Sequence, residues 1–83
     1  MTSNFKLNIL WLDNKLGIAI DQIQQNEQIP LTNYFFWPKT DAWTQIKNEL
    51  EAKSWIQNED KAKLLNSIAS IMNEWQSHTI IKN

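Results

Sequence analysis

Few residues in this chain carry the chemistry of catalysis, and they do not converge. The single histidine, His78, lies near the carboxyl end beyond the last apolar helical stripe and reads as an exposed tail residue. Asp13 and Asp21 flank a run of alternating apolar residues, and paired carboxylates can do general acid–base work. A turn aspartate and a strand-end aspartate need no such role, however, and neither nucleophile, base nor third metal ligand accompanies them. Glu59 and Asp60 fit the start of a helix, where negative charge opposes the positive end of the helix dipole. One glycine cannot build a phosphate-cradling loop, and without cysteine there is neither a disulfide nor a thiolate metal site. The expectation is a non-enzyme with no cofactor, no metal and no small-molecule substrate.

The residues with more to offer are aromatic. Pro30 to Trp43 reads P-L-T-N-Y-F-F-W-P-K-T-D-A-W and packs Tyr34, Phe35, Phe36, Trp37 and Trp43 around two prolines. Such rings bury roughly 150–250 Å² each, so this stretch dominates a core or an interface. Side chains alternate along an extended segment, so the four consecutive rings cannot all point inward. If Phe35 and Trp37 face in, Tyr34 and Phe36 face out, or the reverse. Outward rings near Lys39 could stack on a base or on a partner's side chain. Tyr34, Phe36, Trp37 and Lys39 are therefore candidate interface residues.

The elements that must position these rings follow from the pattern. In Phe5 to Leu12, residues Leu7, Ile9 and Trp11 share one face, and Leu10 and Leu12 the other. Asp13-Asn14-Lys15 is turn chemistry, with Asn14 best able to take positive φ. Leu16 to Ile23 alternates again, which predicts an antiparallel hairpin with Trp11 opposite Ile18 and Ile9 opposite Ile20. Its second face carries Leu10, Leu12, Gly17 and Ala19 beside Asn8 and Asp21. Two helices cover one face only, so Leu10 and Leu12 join the interface candidates. Gly17 in a strand implies a bulge, a bend or close backbone approach.

Gln22 to Gln28 is polar and aperiodic and is expected as a mobile loop, while Asn33 to Trp37 offers a short third strand. Thr40 or Asp41 caps a helix running to about Ala52, with Trp43, Ile46 and Leu50 on its stripe. Glu49–Lys53 and Lys47–Glu51 stand four apart on its outer side. Trp55 and Ile56 are expected to plug the corner between helices. Asn58 caps a second helix to about Gln76, with Leu65, Ile68, Met72 and Trp75 on its stripe. The predicted core is Trp11, Ile18, Ile20, Phe35, Trp43, Ile46, Leu50, Leu65, Ile68, Met72 and Trp75. The fold class is α+β: an antiparallel hairpin, three-stranded if Asn33 to Trp37 joins it, followed by two helices packed on one face. One domain spans 1–83, with an ordered core of about 5–76 and short tails.

Composition narrows the partners. A chain of 83 residues buries roughly 60–65% of its unfolded surface, and five tryptophans stand where a small domain would otherwise need staples. The apolar run Ile9 to Leu12 is too short to span a bilayer, and no signal-peptide pattern opens the chain. Net charge is −1 and every cation is lysine. Arginine is the residue that reads guanine edges and clamps phosphate, so a stand-alone sequence-specific nucleic-acid reader is disfavoured. Lys6, Lys15, Lys39, Lys61 and Lys63 read as solvated single charges.

Leu10-Trp11-Leu12-Asp13, Gly17-Ile18-Ala19-Ile20-Asp21-Gln22, Pro30-Leu31-Thr32, Tyr34-Phe35-Phe36-Trp37-Pro38 and Asp41-Ala42-Trp43 together resemble the Ycf65 family. This is the plastid-specific ribosomal protein 3 group of the small ribosomal subunit in plastids and cyanobacteria. Trp55-Ile56 and Leu64-Leu65-Asn66 also fit, so the likeness covers about residues 7–76. The resemblance implies a structural 30S constituent that supports translation, with small-subunit proteins and 16S rRNA as partners and no membrane. It implies residence in the plastid stroma or the cyanobacterial cytoplasm. The lack of a transit peptide suggests synthesis in the compartment where the protein works. The alternative is a non-ribosomal interaction module acting as an assembly or regulatory factor. A near-neutral member is expected at the subunit periphery, where few phosphates need neutralising.

Overall fold

A computed structural model describes the backbone over residues 4–81 and the side chains over 4–78. The chain forms β1 (Phe5–Trp11), β2 (Leu16–Gln24), β3 (Glu27–Pro30), β4 (Phe35–Trp37), α1 (Ala42–Glu51) and α2 (Asn58–Ile81). This is the α+β class expected, with an antiparallel sheet followed by two helices. The sheet has four strands rather than two or three. Residues 1–3 and 82–83, read from sequence as parts of the tails, lie outside the described residues.

The centre of the sheet is β2, nine residues long. β1 pairs along one side of it, and β3 and β4 follow one another along the other. The hairpin register is Trp11↔Leu16, Ile9↔Ile18 and Leu7↔Ile20, shifted by two residues from the expected pairing. The strands run closer to the turn than expected, and the Leu12 N–H donates to the Lys15 carbonyl at 3.1 Å. Because strand side chains repeat every two residues, the shift exchanges partners but leaves both faces as read. Asn14 does not take positive φ. That conformation falls at Gln25 (49°) and Asn26 (67°), in the turn joining β2 to β3. Two consecutive left-handed residues match the twist of a two-residue hairpin. The expected mobile loop at Gln22 to Gln28 is therefore a second hairpin.

Between β3 and β4 the chain leaves the ladder, and Thr32 bridges the gap. The Ile20 carbonyl accepts from the N–H groups of Leu31 and Thr32, at 2.9 and 3.1 Å. The Ile20 N–H donates to the Thr32 hydroxyl oxygen at 3.0 Å, and that hydroxyl donates to the Asn33 carbonyl at 2.9 Å. A side-chain oxygen thus stands where a strand carbonyl would be, and no buried backbone group of Ile20 is left unmatched.

Leu16, Ile18 and Ile20 face the helices and are fully buried, as are Ala42, Ile46 and Leu50 of α1 and Ile68 of α2. Each large aliphatic side chain so buried contributes about 1.5–3 kcal/mol. Asp41 caps α1: one carboxylate oxygen accepts from the Thr44 N–H at 3.2 Å and the other from its hydroxyl at 2.8 Å. The two lysine–glutamate pairs expected on α1 form at 3.3 and 3.9 Å, at exposures where such pairs contribute little. The helical stripe of α2 is Leu64, Ile68, Met72 and Trp75. Leu65, placed in the core from sequence, is half-buried one position round the helix, and its carbonyl accepts from Trp43 Nε1–H at 3.1 Å. Gln57, not Asn58, occupies the helix boundary, since its carbonyl takes the Lys61 N–H at 3.0 Å. The helix continues to Ile81 rather than ending near Gln76, so part of the expected tail is helical.

Two tryptophans depart from expectation. Trp11, predicted in the core, is 46% exposed at the end of β1: Trp75 of α2 takes the buried place there, its Nε1–H donating to the Leu12 carbonyl at 2.8 Å, and the Trp11 ring meets His78 edge-on at 5.6 Å. Trp55, expected to plug the helix corner, is 55% exposed and stacks on Phe5 at 6.4 Å, while Ile56 alone fills the corner.

Candidate functional site

Pairing decides which rings face out. Phe35 lies opposite Ile18 and Trp37 opposite Leu16, so both share the helix-covered face; Phe36 lies opposite Gly17 on the other. Tyr34 stacks on Phe36 with centroids 6.3 Å apart and planes 22° from parallel. Beneath Phe36, a Cβ added to Gly17 would meet the ring edge at 2.9 Å and Leu10 Cβ at 3.1 Å. The glycine is there so that the ring can lie down on the strand, and Gly17 and Ala19 are buried although no helix covers them. Close approach is thus the operative reason among those the sequence offered.

Lys15 completes this face. Its ammonium sits 5.0 Å from the Phe36 centroid, within cation–π range. Sequence reasoning took Lys15 for a solvated charge. The overlooked signal is its spacing of two from Gly17, which sets both on one face. Leu10, Leu12 and Tyr34 are 41%, 39% and 41% exposed, so the rings and two leucines form an open apolar surface rimmed by Lys15.

Further along the face, Asp21 is committed to structure. Its carboxylate accepts from Gln28 Nε2–H at 2.6 Å and Asn8 Nδ2–H at 2.7 Å. The Gln28 bond, then the Asn8 bond, hold this carboxyl below its ordinary range; partial burial opposes them and Lys6 adds a lesser attraction. Asp13 lies in the β1–β2 turn, so the two carboxylates do not form an acid–base pair. Among the described residues no group of three or more potential ligands could hold a metal ion, and no helix is long and apolar enough to cross a membrane.

The remaining interface candidates lie elsewhere. Trp37 is half-buried against the core, and it lines a shallow groove of about 340 Å³ with Trp43, Ala69, Met72, Asn73 and Gln76. Its indole N–H is buried without a partner among the described residues. Lys39 is exposed in the turn from β4 to α1, where Thr40 N–H and hydroxyl both donate to the Phe36 carbonyl, at 3.0 and 2.8 Å. The structure thus groups Leu10, Leu12, Tyr34 and Phe36, and separates Trp37 from them onto the opposite face.

Residues 31–78 match the family described as plastid and cyanobacterial ribosomal protein (PSRP-3/Ycf65). A probable small ribosomal subunit protein cS23 of Synechococcus sp. (strain JA-3-3Ab) is 52% identical over 88% of this chain and 74% of its own length. The small ribosomal subunit protein cS23 of Gracilaria tenuistipitata var. liui is 51% identical over 89% of this chain and 75% of its own. That of Euglena stellata is 43% identical over 93% and 76%. With the aromatic strand, its capped helix and the partner helix as far as His78 inside the matched region, the chain belongs to the PSRP-3/Ycf65 family of plastid and cyanobacterial ribosomal proteins.

Proposed function

We propose that this ribosomal protein is a non-catalytic structural constituent of the small subunit, held among its neighbours by the outer face of its sheet. Family membership carries the ribosomal part of this reading. The stacked Tyr34–Phe36 pair over Gly17, with Leu10 and Leu12 open beside it, supports the choice of face. Leu10, Leu12, Tyr34 and Phe36 would contact a neighbouring subunit protein. Lys15, already placed over a ring, and Lys39 would meet a carboxylate or an isolated 16S rRNA phosphate. A net charge of −1 without arginine supports a peripheral position with few phosphate contacts. Trp37, packed inward, would serve the fold first.

Leu10→Glu and Tyr34→Glu test the face, since both positions are 41% exposed and tolerate charge in the free protein. The double variant is expected to melt within a few degrees of the parent yet leave 30S particles in a high-salt wash. Full retention of the folded variant would move the interface to another surface. The same wash addresses the alternative of a transient assembly factor, for which the parent protein itself would be lost.

A further inference from the structure

We infer that β1 receives an extended segment of a neighbouring subunit protein as a fifth strand of the sheet. Hydrogen bonds at the two ends of the hairpin fix which backbone groups are free. The Ile23 N–H donates to the Asn4 carbonyl at 2.7 Å and the Leu12 N–H to the Lys15 carbonyl at 3.1 Å. The register is unbroken between them, with Lys6↔Asp21, Asn8↔Ala19 and Leu10↔Gly17, and antiparallel partners exchange bonds at every second pair. Asn4, Lys6, Asn8, Leu10 and Leu12 therefore face β2. The N–H and C=O groups of Phe5, Leu7, Ile9 and Trp11 point to the open edge, where none has a partner among the described residues.

Sheet edges in proteins are ordinarily blunted by proline, bulges, charge or brevity. The opposite edge shows such devices: β3 ends in Pro30, and β4 has three residues and stops at Pro38. β1 has seven residues, no proline and no bulge, and Lys6 is its one charge. Two exposed tryptophans bracket it, Trp55 stacked on Phe5 at one end and Trp11 against His78 at the other. A row of donors and acceptors alternating at strand spacing is the complement of a polypeptide strand; an RNA backbone sets anionic phosphate acceptors between its 2′-hydroxyls and does not repeat that row. The occupant is an extended segment of about five to seven residues. Its side chains would be apolar on the side of Trp11 and Trp55; on the other side they would be polar or acidic beside Lys6 and Asn8 and apolar beside Leu10. That the segment comes from a subunit protein rather than a second copy rests on the ribosomal reading above.

Residue-resolved amide exchange tests this, on the free protein and on small subunits exchanged intact, then quenched and dissociated for NMR. In the free protein the amides of Lys6, Asn8 and Leu10 should be slow and those of Leu7 and Ile9 fast. Within the particle Leu7 and Ile9 should slow by on the order of 100-fold or more. Unchanged fast exchange at Leu7 and Ile9 in particles that contain the protein overturns the inference. So does protection that disappears on ribonuclease treatment, and so does protection already present in a dimer of the free protein. Absence of the protein from the particles would instead defeat the ribosomal reading, and this inference with it. Replacing Leu7 and Ile9 by their N-methyl forms removes the free donors while keeping both side chains. Tenfold or greater loss of particle binding is expected, and undiminished binding overturns the strand.

Discussion

Thr32→Val is the sharpest probe of how the sheet is held together. The substitution keeps the shape of the side chain and removes one hydroxyl. That hydroxyl accepts the Ile20 N–H at 3.0 Å and donates to the Asn33 carbonyl at 2.9 Å, at a residue only 9% exposed. Leaving a buried donor unmatched costs about 1–3 kcal/mol. For a domain of this size each kcal/mol lowers Tm by roughly 4–8 °C, so a fall of about 4–24 °C is expected in a thermal melt followed by circular dichroism. Thr32→Ser keeps the hydroxyl and loses one methyl, costing about 0.8 kcal/mol. The order wild type, Ser, Val is the expectation. Equal stability of Val and wild type, or a Ser variant as weak as Val, would refute the bridge between β3 and β4.

Three further outcomes follow from the same geometry. Gly17→Ala should destabilise by about 1–2 kcal/mol through overpacking against Phe36 and Leu10, and adding Phe36→Leu should recover part of the loss in a denaturant titration. Asp21 should add to the acid limb of stability. Its folded value lies below the ordinary 3.8, so its contribution is complete above that pH and disappears as pH falls through the folded value. Asp21→Asn should flatten that limb, and an unchanged pH profile would contradict the role. Trp37→Ala should cost about 3 kcal/mol by chemical denaturation, since the ring packs on the core. Trp37→Phe, which removes an unmatched buried N–H, should cost less than about 1 kcal/mol.

The two faces of the hairpin were legible because Leu7, Ile9 and Trp11 alternate with Leu10 and Leu12, and a two-residue slip preserves that division. Alternation also reduced the four rings to two arrangements, of which pairing to β2 selects one. Asp41 as a cap was readable from its place before an apolar stripe. The second hairpin was not, because Gln25 and Asn26 take left-handed conformations without a glycine to mark them. Leu64 and Leu65 are adjacent, and period alone does not choose between them; the position of α1 does. Trp11 and Trp55 look like core residues by type, but Trp11 ends β1 beside the already buried Trp75, and Trp55 lies in the short connection between α1 and α2. Lys15 gained its meaning only with Phe36 in place, twenty-one positions along the chain.

The most direct test of the central claim is sedimentation of the tagged wild-type protein from its native cell or organelle on a high-salt sucrose gradient. A structural constituent of the small subunit should travel stoichiometrically with 30S and 70S particles. A peak confined to the top of the gradient would contradict it.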